Sequence, residues 1–231
     1  MTSLPGSVID LSPLWLTLQL AAMTVMILFL LATPIAWWLA YTRSRLKTTI
    51  EAVTALPLVL PPTVLGFYLL VFLGPNGPAG QLWTSLFGHH LAFSFTGLVI
   101  ASCIYSLPFV VQPLQAAFES MNRQAIEASW TLGSSRLRTF VMVVIPQVRR
   151  GALMALVLGF AHTMGEFGVV LMVGGNIPSE TQVVSIAIYE QVETLNFAVA
   201  HQFSAGLLVF SFVVLFLVYA VNRSWNTGIK V

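Results

Sequence analysis

Apolar residues in this chain gather into five long runs, at residues 14–41, 53–73, 95–117, 151–173 and 205–221, and none of these runs contains Lys or Arg. A helix needs about 20 residues to cross the hydrocarbon core of a bilayer, within a range of roughly 17 to 25. The runs are of that size. Strands of a membrane barrel need about 10 residues of alternating polarity, a pattern the runs lack. The prediction is an all-α integral membrane protein of about five transmembrane helices, forming one domain over residues 12–222.

Composition agrees: 57% of the residues are apolar and only 8% are charged, which excludes an ordinary soluble domain. The placement of charge says more than its amount. Arg43, Arg45 and Lys47 follow the first run, and Arg123, Arg136, Arg138, Arg149 and Arg150 lie between the third and fourth. Arg223 and Lys230 follow the last, while the connections 74–94 and 174–202 have no Lys or Arg. Short cytoplasmic loops retain basic residues, so the amino terminus is expected outside and the carboxyl terminus in the cytoplasm. The first run is read as a retained span, because no basic residue precedes it and it is longer than the core of a cleaved signal. Cys103 is the only cysteine, so neither a disulfide framework nor a cysteine metal site is expected. No cofactor and no nucleic-acid partner is expected either.

The runs hold few chemically distinctive residues. In the second, Leu56-Pro57-Leu58-Val59-Leu60-Pro61-Pro62 removes backbone donors and predicts a kink, either for packing or as a bend lining a pathway. Thr63 and Ser106 lie near prolines, and Thr163 lies in the fourth run. Glu166 is the one acid well inside a run, with His162 one helical turn before it. Intramembrane carboxylates are costly and face protein or water. A structural pairing of Glu166 with His162 or with backbone amides is favoured over an outer gate. Two ligands without a third do not make a metal site. His89 and His90 are read as solvated loop residues. Residues 180–193 predict a short amphipathic helix with Val184, Ile188 and Val192 on its apolar face, lying on or dipping into the surface without forming a sixth span.

The longest connection on the basic side, 120–146, predicts a helix with Asn122 as N-cap and Gly133 as its stop. Met121, Ala125, Ala128 and Leu132 share one face. Such a helix suits a groove on another protein; the alternative is a helix resting on lipid headgroups. Its sequence is Glu127-Ala128-Ser129-Trp130-Thr131-Leu132-Gly133, followed after nine residues by Val143-Val144-Ile145-Pro146. This resembles the EAA signature of ABC-importer permeases: Glu-Ala-Ala, three residues, Gly, nine residues, Ile-x-Leu-Pro. Ser129 replaces Ala, Val143 replaces Ile and Ile145 replaces Leu.

The resemblance implies a type I ABC importer permease fold with a cytoplasmic coupling helix. Glu127, Ala128, Ser129, Leu132, Gly133 and Pro146 would then form the joint seated in a cleft of a separate ATP-hydrolysing subunit. No catalytic residue is implied. The chain has no Gly-Lys dipeptide, so it lacks the phosphate-binding loop of an ATPase.

Residues 56–66, Gly165-Glu166-Phe167-Gly168, Gly175-Asn176-Ile177-Pro178 and Glu180-Thr181 are similar to molybdate permeases, with tungstate and sulfate or thiosulfate permeases close by. That likeness implies a homodimer with two ATPase copies and an extracytoplasmic molybdate-binding protein, in the inner membrane of a bacterial or archaeal cell. With no cation in the spans, an oxyanion would pass hydroxyls and amide dipoles at kinked helix ends. The pathway or gate candidates are Pro61, Pro62, Thr63, Ser106, Thr163 and Glu166. Competing readings are an ion-coupled carrier using Glu166 and His162 as proton sites, and an intramembrane enzyme on the same pair, which lacks a nucleophile constellation.

Overall fold

The computed structural model describes residues 10–227. Lys230 lies outside the described residues, as does the side chain of Arg223. The helices are α1 (Ser12–Tyr41), α2 (Leu46–Val59), α3 (Pro62–Leu73), α4 (Pro78–Phe87), α5 (Phe95–Glu119) and α6 (Arg123–Thr131). Then come α7 (Arg136–Thr139), a π turn (Phe140–Val144), α8 (Ile145–Met164), α9 (Gly168–Gly174), α10 (Val184–Glu193) and α11 (Phe197–Thr227). Among the described residues four helical stretches are long and apolar enough to cross a membrane: Ser12–Tyr41, Phe95–Glu119, Arg136–Met164 and Phe197–Leu217. The pair α2 and α3 makes a fifth if its two arms count as one span.

That pair is bent by 112°. Leu60 and Pro61 between the arms are extended, with ψ of 135° and 137°. The residue before a proline is pushed out of the α region, and neither Pro61 nor Pro62 can donate a backbone hydrogen bond. Pro62 then opens α3 in its first turn, where the missing N–H has no cost. Pro108 and Pro113, by contrast, are carried inside an unbroken α5.

The bundle centres on α1, α5 and α8. Leu28, Ala32, Ala36 and Leu39 of α1 meet Val110, Val111, Leu114 and Phe118 of α5 and Val148 and Ala155 of α8 in one buried cluster. At the other end Leu16 and Leu20 meet Leu98, Val99, Val170, Val183 and Ile186. Lipid is as apolar as these side chains, so close packing rather than water exclusion holds them together. Small residues permit the approach. A Cβ on Gly159 would stand 2.6 Å from Val110 Cγ2 and 3.0 Å from Val25 Cγ2.

The segment after the fourth apolar run is built in rather than laid on a surface. Thr17 accepts a hydrogen bond from the Val184 amide at 2.8 Å. Thr181 donates to the Gly174 carbonyl at 2.7 Å and accepts from the Ile177 amide at 3.1 Å. The buried face of α10 is Val184, Ile186 and Ala187. The expected face of Val184, Ile188 and Val192 is shifted, because the helix is gripped at its start and Val192 is exposed. His89 and His90 are exposed.

Gly159→Leu should overpack the α1–α5–α8 junction and cost about 1–3 kcal/mol. A lowered thermal midpoint of the purified chain in detergent is the expected result.

Candidate functional site

Two regions gather the residues singled out above, one at each end of the bundle. At the end carrying the basic residues, α6 begins at Asn122, whose Oδ1 accepts from the Gln124 amide at 3.0 Å. It ends at Gly133, where φ is +81°, a left-handed conformation that glycine adopts without strain. The Gly133 amide bonds the Trp130 carbonyl at 2.9 Å and the Ser134 amide bonds the Ser129 carbonyl at 3.1 Å, closing the helix end.

The side of α6 turned to the protein differs from the expected stripe. Met121 is buried, and Ala125, Ile126 and Ser129 are half-buried. Ala128 is exposed and Leu132 is 86% exposed. Glu127 and Trp130 are exposed too but line the cavity between α6 and the bundle, so the outward face presents a small residue, Ala128, and a large apolar one, Leu132. That is the composition of a docking surface.

Four contacts hold the helix in place. The Asn122 amide donates to Gln147 Oε1 at 3.0 Å, and Arg123 stacks 4.6 Å over the Tyr41 ring. Tyr41 in turn donates its hydroxyl to the Phe118 carbonyl at 2.8 Å. Ser129 Oγ and Thr139 Oγ1 are 2.9 Å apart. Ile126 packs on the core cluster. Between α6 and the bundle is a cavity of about 600 Å³, lined by Trp37, Tyr41, Trp130 and Phe140 among others. Pro146 does not sit in a loop: it is the second residue of α8, directly after the π turn.

At the other end a cavity of about 570 Å³ is lined by Pro62, Thr63, Tyr105, His162, Glu166 and Gly168, together with Phe167, Leu171 and Met172 among others. The bend before α3 and the interruption between α8 and α9 create it. A Cβ on Gly168 would come 2.8 Å from Pro62 Cβ, so the two breaks touch. Pro61 stands at the elbow beside this cavity.

Ser106 and Thr163 are buried behind the cavity wall. Thr163 donates to the Gly159 carbonyl at 3.0 Å, and Ser106 Oγ lies 3.0 Å from Thr163 Oγ1 and 2.9 Å from His162 Nδ1. Each hydroxyl has one hydrogen. Thr163 has used its own, so the network assigns Ser106 as donor to Thr163 and as acceptor from Nδ1–H of His162. The imidazole also stacks on Phe109 at 3.8 Å between centroids.

His162 and Glu166 are thus not paired with each other. Glu166 is 3% exposed and the Ser102 hydroxyl lies beside its carboxyl group, while Thr24 Oγ1 makes no hydrogen bond within the described residues. The Glu166 backbone is engaged at both groups: its amide donates to the Thr163 carbonyl at 3.3 Å and its carbonyl accepts from Ser185 Oγ at 2.6 Å. The fourth run breaks at this point, so the helical register that would bring residues 162 and 166 together is lost. Among the described residues no cluster of three or more His, Cys, Asp or Glu could hold a metal ion.

Sequence reasoning missed Tyr41, Tyr105, Thr139 and Gln147. The signal for Thr139 was Ser129, a hydroxyl where the signature has alanine.

The family model described as binding-protein-dependent transport system inner membrane component matches residues 32–227. The chain belongs to this family of ABC-importer permeases. It is 56% identical to the molybdenum transport system permease protein ModB of Azotobacter vinelandii, over 98% of this chain and 100% of that protein. Identity to ModB of Haemophilus influenzae is 35%, over 94% of this chain and 93% of that one. The fold matches a chain of the MetNI methionine ABC transporter in an inward-facing form with a TM-score of 0.72. That match has 17% identity and covers 96% of this chain and 99% of that chain.

Ser106→Ala in this permease should leave His162 Nδ1 and Thr163 Oγ1 without their shared partner and lower stability by about 1–3 kcal/mol. Denaturation in detergent would show this as an earlier transition.

Proposed function

We propose that this chain is the membrane-spanning subunit of an ATP-driven, binding-protein-dependent molybdate importer, acting as a homodimer. The observation that carries the substrate is the 56% identity, over nearly the whole of both chains, to a permease named for molybdenum transport. The permease domain runs over residues 12–222, with spans near 14–41, 53–73, 95–117, 151–173 and 205–221. The coupling segment is 120–146.

The Lys and Arg distribution orients α6 to the cytoplasm. There the exposed residues Glu127, Ala128 and Leu132, with Ser129, Gly133 and Pro146 supporting them, seat in the ATPase subunit, one copy per protomer. An extracytoplasmic binding protein delivers the anion to the opposite mouth. Exposed apolar side chains on α3 (Phe67, Tyr68, Val71) and α11 (Leu208, Phe212, Phe216) supply surface for lipid and for the second copy.

Molybdate is a tetrahedral dianion, and a lysine or arginine on its route would bind it tightly and slow its release. Pro61 and Pro62 open the bend, Thr63 offers a hydroxyl and the start of α3 offers backbone amides. Ser106 and Thr163 hold the wall from behind. Glu166 and His162 belong to the same cavity, where they serve the shape of the route rather than a proton cycle.

Uptake of labelled molybdate into proteoliposomes, with and without the ATPase and the binding protein, tests this reading. Uptake should require both, and tungstate and sulfate as competitors rank the oxyanions. Glu127→Arg should weaken recruitment of the ATPase by at least about tenfold, as expected for reversing an interfacial charge. Uptake driven by an ion gradient without any ATPase would overturn the reading in favour of an ion-coupled carrier.

A further inference from the structure

The π turn Phe140–Val144 is placed by chemistry. Pro146 has no N–H, so the Met142 carbonyl has no α-helical donor, and the Ile145 amide bonds Phe140, five residues back. A π turn holds one residue more than an α turn and appears often at functional sites. Moving that extra residue along the helix rotates the parts on either side by about 100° about the axis. It is a soft joint within an otherwise continuous helix of 29 residues, Arg136–Met164.

Two of the contacts that hold α6 straddle this joint. At the carboxyl end of α6, Ser129 Oγ meets Thr139 Oγ1 at 2.9 Å, one residue before the π turn begins. At its amino end the Asn122 amide donates to Gln147 Oε1 at 3.0 Å, three residues after the turn ends. Thr139 is buried and Ser129 half-buried, so the bond between them is partly shielded from water. The stretch between Ser129 and Asn122 is helical and therefore stiff, while the stretch between Thr139 and Gln147 contains the π turn.

We propose that α6 is a splint across the π turn, fastened before it through Ser129 and Thr139 and after it through Asn122 and Gln147. A displacement of α6 then acts on both sides of the joint at once. Ser129 and Thr139 are positioning residues for coupling, and they touch neither nucleotide nor anion. The inference rests on the coupling role assigned to α6 above and adds the route by which its movement enters the helical stretch Arg136–Met164. Loss of the Ser129–Thr139 bond removes the hydrogen bond that fastens α6 to the part before the π turn, and its movement is then spent in the connection 132–135.

The test is the number of ATP molecules hydrolysed per molybdate taken up by the complete transporter in proteoliposomes. Ser129→Ala and Thr139→Val should each raise that ratio by about fivefold, the factor that corresponds to losing one hydrogen bond of ordinary strength. The double variant should be no worse than either single one, because both remove the same bond. Thr139→Ser keeps the hydroxyl and should keep the wild-type ratio. A general loss of stability lowers uptake and hydrolysis together and leaves the ratio alone. If both single variants keep the wild-type ratio in a transporter that still requires its ATPase, the splint is wrong and the coupling role of α6 survives. If the wild-type chain takes up molybdate without an ATPase, the coupling role itself fails.

Discussion

A backbone amide or carbonyl left unpaired in hydrocarbon costs several kcal/mol, and this constraint governs the whole chain. It forces long helices and makes every interruption an event that needs protection. Among the described residues three interruptions stand out: the bend at Leu60 and Pro61, the π turn before Pro146, and the break at residues 165–167 between α8 and α9. Each is secured by something nearby. Prolines at the first remove donors that would otherwise be stranded. At the second the Ile145 amide reaches one residue further back. At the third Ser185 covers the Glu166 carbonyl and the Gly165 amide turns back to Ala161 and His162.

Because the breaks are protected, they can serve as working parts. The first and third meet at Pro62 and Gly168 and open a cavity where two helices begin, so the pathway candidates Pro62, Thr63 and Glu166 line one chamber. The second lies beneath α6 at the opposite end. Between these ends α1, α5 and α8 pack closely, and Gly159 lets them do so.

The buried carboxyl of Glu166 illustrates how such a design differs from a soluble core. It lies beside Ser102 and Cys103 of α5, while its neighbour His162 is committed to Ser106. Two residues that look like a pair along the sequence are divided between two networks by one helix break.

Much of the architecture was legible in the residues. Apolar runs and their lack of Lys and Arg implied a helical membrane protein, the prolines marked the bend, and Asn122 and Gly133 marked the limits of α6. These are local properties, set by the hydrophobic period, by missing N–H groups and by φ values that only certain residues accept. The EAA spacing placed the chain in its family because that motif is also local. The angle of the bend, the π turn, the burial of α10, the shifted inner face of α6 and the partners of Ser129, Ser106 and Gln147 were not legible. Those depend on which side chain stands opposite across a helix contact, as when Ser106 meets His162 from 56 positions away. Local sequence therefore decided what kind of element each segment forms, and the tertiary structure decided which elements face each other, because packing between helices is set by distant residues acting together.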